Sequence, residues 1–124
     1  MRATFIETSG LSEAREEHLL DASYAQLQQW LMMNAVAGAV MPGCGGLRKV
    51  RVADAGRGKG KRGGSRVIYL HVPEAKRFFM IHLYGKDQKD DLSRTEKRIL
   101  VSLADVYKRE SIAAYRRWLE DNRV

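Results

Sequence analysis

Apolar and polar positions change their period three times along the chain. Between residues 3 and 7, Phe5 and Ile6 sit beside Thr4 and Glu7, a short stretch compatible with one strand. From Leu11 the spacing turns helical: Leu11, Ala14 and His18 share one face, and Tyr24, Leu27, Leu31 and Asn34 recur at intervals of three, four and three. With Ser12 and Asp21 as N-caps, the pattern predicts helices over about 12–19 and 22–34, packed as a hairpin, with His18 at a helix surface or boundary. Residues 35–46 contain Gly38, Pro42, Gly43, Gly45 and Gly46 and read as a loop.

A period of two then takes over. In residues 47–53 (LRKVRVA), Lys49 and Arg51 point one way and Val50 and Val52 the other, as in a half-buried strand with basic side chains along one face. Residues 65–72 and 77–84 are rich in β-branched and aromatic side chains and flank the turn 73–76, so they predict an antiparallel hairpin. Its register stays open. A four-residue turn pairs residue 72 with 77 and sets Arg66 opposite Leu83, whereas a turn one residue longer or shorter sets it beside Tyr84 or His82.

Helical spacing returns after Gly85. Ser93 and Glu96 form a capping box ahead of an apolar stripe of Ile99, Leu100 and Leu103, predicting a helix to about residue 106 or 107. A second helical stretch, 111–119, carries Ile112, Tyr115 and Leu119 on one side, and the pattern leaves open whether the two are one bent helix. The order of helices, sheet and helices is α+β: an N-terminal helical hairpin packed on a small, mainly antiparallel sheet, followed by a C-terminal helix or helices.

The 124 residues suit a single domain over 1–124, and no apolar run approaches the roughly 20 residues that span a bilayer. The first residues lack the apolar core of a secretory signal, and Cys44 is the single cysteine, so the expected setting is a reducing cytoplasm without membrane contact. Charge adds more. The net charge is +7, and residues 47–66 hold eight Lys/Arg against one acid, Asp54, so the whole excess lies in this stretch. A block this concentrated points to an acidic partner, the bland alternative being a solvated basic loop.

Within it, GRGKGKRGGSR at 56–66 contains a G-x-G-x-x-G match, but a strand follows where a dinucleotide-binding turn needs a helix N-terminus, and no register fits a Walker A loop. The segment reads as a long hairpin tip whose glycines let the backbone approach a phosphate chain closely.

The succession GGLRKVRVA, GKRGGSRVIY and HLYGKDQKDDLSRTEKR resembles the RelE-like toxin superfamily, in its HigB-type branch. The resemblance covers roughly 3–105, and the helical stretch from about 107 stands outside it as a C-terminal extension. It implies the toxin of a type II toxin–antitoxin pair: a ribosome-dependent endoribonuclease that cleaves mRNA in the A site and so inhibits translation. It also implies a cognate antitoxin as a separate chain, typically a helix-turn-helix protein, with the ribosome and mRNA as further partners. The reaction it implies uses the 2′-hydroxyl as internal nucleophile. Clustered cations can orient the groups, move protons and stabilise charge on phosphorus, so neither a metal nor another cofactor is called for.

Carried over by position, Arg66 matches the arginine before the paired apolar residues and is assigned to the scissile phosphate. Lys49 and Arg51 match the basic pair of the preceding strand, for proton transfer and phosphate binding, and Lys86 matches the basic residue after the next strand's glycine. Arg48, Lys59, Lys61 and Arg62 are assigned to RNA backbone contacts, and Tyr84 to the site lining or else the core. A tyrosine that some relatives carry after this strand is replaced by Asp90, Asp91 and Leu92, and Asp87 stands where a second basic residue is expected. This leaves the general acid open, with His82 and His71 as alternatives. Two other readings follow: a non-catalytic basic module that binds RNA or DNA, and a degenerate toxin that only binds its antitoxin.

Overall fold

The computed structural model describes residues 3–53, 64–86, 89 and 91–123. Its elements run β1 (Thr4–Glu7), α1 (Ser9–His18), α2 (Asp21–Met33), β2 (Ala39–Val40), β3 (Arg48–Val52), β4 (Ser65–Val72), a 3₁₀ turn at Pro73–Ala75, β5 (Arg77–Gly85) and α3 (Arg94–Asp121). The strands form one sheet in the order β1-β5-β4-β3-β2, antiparallel except where β1 lies parallel to β5. The fold is α+β, with the N-terminal helices early in the chain and one C-terminal helix.

Strand alternation sorts the core into two layers. Val50, Val52, Val67, Tyr69, Phe78, Met80 and Leu83 pack with Leu11, Leu19, Tyr24, Leu27 and Leu31 of the α1–α2 segment. On the other face, Ile68, Leu70, Val72, Phe79, Ile81 and Tyr84 pack with Leu92, just ahead of α3, and with Leu100 and Ala104 in its first half. Every buried helical position of α1 and α2 belongs to the predicted periodic set. His18 differs from expectation: it is 2 % exposed, because the last turn of α1 faces the sheet, and its carbonyl accepts the Ser65 hydroxyl at 3.3 Å.

The helix starts also differ. Thr8, not Ser12, caps α1 by accepting the Leu11 N–H at 3.2 Å, and Ser12 instead donates to Glu7 at 2.8 Å. Leu20 precedes α2 with no side-chain cap, and Asp21 is its first residue, where a carboxylate favours the positive end of the helix dipole. Arg15 draws these elements together, pairing with Glu7 of β1 and Asp21 of α2 at 3.1 Å each and lying 3.8 Å over the Tyr24 ring.

Inside the predicted loop, Ala39 and Val40 form the edge strand β2 against Lys49 and Arg48. At the other end of the chain the capping box forms as read, Ser93 and Glu96 exchanging bonds of 2.9 and 3.1 Å. From it α3 runs unbroken for 28 residues, about 42 Å at 1.5 Å per residue, so the two helical stretches are one element.

Candidate active site

The turn at 73–76 behaves as expected, pairing Val72 with Arg77. The register then shifts by one residue: Tyr69 pairs with Met80 but Ile68 pairs with His82, so Ile81 is the extra residue of a β-bulge. Two bonds surround it. The Thr8 N–H donates to the Met80 carbonyl at 3.1 Å, and the Thr8 hydroxyl donates to the Ile81 carbonyl at 2.7 Å.

Past the bulge, Arg51 pairs with Arg66 and Arg66 with Tyr84, forming one row across β3, β4 and β5. Side chains so paired share a face and lie about 5 Å apart at Cβ. The next row on that face is Lys49, Ile68 and His82. Arg51 is exposed, whereas Arg66 is 5 % exposed and donates to the Ser65 carbonyl at 3.4 Å. Tyr84 is buried, and its hydroxyl has no hydrogen-bond partner among the described residues. Lys86 follows directly, its backbone N–H bonded to the Gly64 carbonyl at 2.9 Å, which brings it to the Arg66 end of the sheet.

Charged groups from the start of α3 border this face. Asp91 accepts Lys49 Nζ at 3.2 Å and Lys97 Nζ at 2.9 Å, and Glu96 accepts Lys89 Nζ at 2.6 Å. The Lys97 ammonium and the Leu92 N–H hold the Asp91 carboxyl down at about 2, and Lys89 with the Ser93 N–H does the same for Glu96. Burial holds the His82 imidazole below its ordinary value, opposed by the charge of Glu96, and the ring lies 5.9 Å from that of Tyr84. His82 is thus close to the row. His71 is not: it stacks on Phe78 at 4.4 Å, on the opposite face, and burial lowers it too.

Of the residues singled out in the sequence, Arg51, Arg66, Tyr84 and Lys86 gather at one end of the sheet, with Lys49 one row away. Arg48 does not join them. It alternates to the other face and donates to the carbonyls of Gly38 at 2.8 Å and Val36 at 3.3 Å, tying down the loop before β2. Lys59, Lys61, Arg62, Asp87 and Asp90 lie outside the described residues.

Asp91 and Lys97 were not assigned roles from sequence. The D-L-S-x-x-E approach to α3 carried the signal, since a capped helix starting there fixes where Asp91 stands.

Basic side chains aligned on a sheet, with a tyrosine and a histidine on the neighbouring strand, can grip a phosphodiester and move protons at it. The family model for the RelE toxin of the RelE/RelB toxin–antitoxin system matches residues 8–123, nearly the whole chain and all of α3 up to its end. The protein therefore belongs to the RelE toxin family.

Proposed function

We propose that this toxin is an endoribonuclease that cleaves mRNA in the ribosomal A site by attack of the 2′-hydroxyl on the adjacent phosphate. The observation that carries this reading is the row Arg51–Arg66–Tyr84, formed by direct strand pairing on one face of the sheet. The HigB-type branch is the closer assignment within the family, on the strength of the G-L-R-K-V-R-V and K-R-G-G-S-R-V-I-Y runs.

In this reading Arg66, almost fully buried, fixes the scissile phosphate with the planar fork of its guanidinium. Arg51, exposed on the neighbouring strand, binds a second oxygen and stabilises charge developing on phosphorus. Lys49 and Lys86 flank the phosphate and take part in proton transfer, and the Tyr84 hydroxyl donates into the same space. The hydroxyl proton leaves the attacking oxygen as the phosphorus–oxygen bond to the departing 5′ oxygen breaks, and that oxygen takes up a proton. The products are a 2′,3′-cyclic phosphate and a 5′-hydroxyl. The partners are a cognate antitoxin carried on a separate chain, the ribosome and mRNA, in the cytoplasm.

The test is to mix the purified toxin with ribosomes programmed with a defined message and map the new ends. Wild type is expected to cut within the A-site codon, and Arg66→Gln to lose at least about a hundredfold in rate while keeping its circular dichroism spectrum. Uncut message from a chain that still arrests growth on induction would refute the nuclease reading.

A further inference from the structure

One carboxylate joins the sheet to the helix beneath the proposed site. Asp91 Oδ1 accepts the N–H of its own neighbour Leu92 at 2.8 Å, and its Oδ2 accepts Lys97 Nζ from the first turn of α3 at 2.9 Å. Neither anchor involves the sheet, so the carboxylate is oriented before it meets β3. The Oδ1 atom then takes Lys49 Nζ at 3.2 Å, across 42 residues of sequence. Lys49 is one of the two cations of β3 that share the face of Arg66, and its side chain is 29 % exposed. An ammonium on a flexible four-carbon stem has no fixed direction of its own.

We propose that Asp91 is a positioning residue, whose carboxylate, anchored on the start of α3, holds the Lys49 ammonium in place beside Arg51 for the reacting phosphate. This role rests on the nuclease reading above. An ammonium has three protons, so Lys49 can keep its bond to Asp91 and still donate to a phosphate oxygen. The Leu92 N–H orients Asp91 from the backbone, and Lys97 adds a second contact that does not depend on Lys49. The arrangement has a cost with a definite sign: a fixed negative charge beside a polyanion weakens binding, while an oriented cation speeds the chemical step.

The experiment compares wild type, Asp91→Asn, Lys49→Met and the double variant in single-turnover cleavage on programmed ribosomes. Affinity is measured separately for ribosomes whose A-site codon is 2′-O-methylated and cannot be cut. Asp91→Asn is expected to slow cleavage by about ten- to a hundredfold, with affinity unchanged or tighter. In the Lys49→Met background the same substitution should change cleavage by less than about twofold, because the group through which Asp91 acts is gone.

An equal loss in both backgrounds overturns the proposal and makes Asp91 a structural residue. Unchanged cleavage by Asp91→Asn in the otherwise wild-type chain overturns it, and faster cleavage overturns it in favour of a self-inhibiting contact. Wild type that leaves message intact removes the nuclease reading and this role with it.

Discussion

Arg66 stands directly opposite Tyr84, and it does so only because β5 carries one extra residue at Ile81. Continued without a bulge, the pairing that starts at Val72 and Arg77 brings Arg66 to Leu83, and Tyr84 to the opposite face. With the bulge, the same strand sends Phe78, Met80 and Leu83 to one core layer and Phe79, Ile81 and Tyr84 to the other. One inserted residue thus assembles the row.

Tyr84→Phe isolates the hydroxyl that this geometry leaves buried and without a described partner. Removing such an oxygen relieves a desolvation cost, so the unfolding midpoint is expected to stay within about 1 kcal/mol of wild type or rise. With the hydroxyl donating to the substrate as proposed, cleavage is expected to fall by about ten- to a hundredfold, the value of one hydrogen bond to a charged group. Equilibrium urea unfolding and single-turnover cleavage read the two effects separately.

Thr8 is where two demands meet. Its hydroxyl oxygen caps α1 through the Leu11 N–H and its proton satisfies the carbonyl of the bulge residue Ile81. Thr8→Val keeps the volume and removes both bonds, with an expected loss of about 2–3 kcal/mol, and Thr8→Ser should recover most of it. Because the bulge sets the Arg66 row, cleavage should drop in Thr8→Val even where the protein remains folded. Denaturant midpoints and activity at low temperature measure this.

The same pair of residues explains how far sequence alone can reach. The hairpin, its four-residue turn and the two faces of β3 follow from local alternation, and so are legible. The bulge depends on β1 ending beside Met80 and on a hydroxyl 73 residues away, neither of which leaves a trace in the 77–84 pattern. Likewise the sequence points to Ser12 as the cap of α1, whereas Thr8 takes that place and Ser12 bonds the Glu7 carboxylate of β1. The basic face was readable because it is a property of one strand. The Lys49–Asp91 contact was not, because it requires knowing where α3 starts relative to β3.

Acid should weaken the α3 end of the site first. Asp91 and Glu96 titrate at about 2 in the folded chain, below their ordinary 3.8 and 4.5. A depressed carboxyl contributes stability that is complete above its unfolded value and fades as the pH falls through the folded one. Stability is therefore expected to decline between about pH 4.5 and 2, with a flatter curve for Glu96→Gln. Both groups are partly exposed, so 1 M salt should shrink the effect. Urea midpoints across this pH range at two salt concentrations give the comparison.

Gly38 has no room for a side chain. A Cβ there would lie 2.9 Å from the Lys49 carbonyl oxygen and 2.9 Å from the Tyr69 ring. Tyr69 cannot move aside cheaply, since its hydroxyl donates to the Ala35 carbonyl at 2.9 Å and accepts the Gly38 N–H at 3.1 Å. Gly38→Ala should cost about 1–3 kcal/mol and push β3 at the residue that meets Asp91. Thermal unfolding reports the first effect, and backbone amide shifts of Lys49 in NMR report the second.

The far half of α3 supplies the last prediction. Tyr107 stacks on Phe79 of β5 at 4.8 Å, and Ile112 and Tyr115 pack on the same core layer as Leu100 and Ala104. Lys76, at the turn between β4 and β5, lies 5.9 Å over the Tyr115 ring, so the helix end closes over the hairpin that carries Arg66. A chain ending at residue 106 loses all three side chains from that layer. At about 1.5–3 kcal/mol for each large apolar group fully buried, and less for these partly buried ones, the loss is a large share of the whole stability of a small domain. Such a chain is expected to lose cooperative unfolding, whereas one ending at residue 119 should unfold close to wild type. If the 106-residue chain instead unfolded with the wild-type midpoint, α3 beyond Tyr107 would be a dispensable appendage.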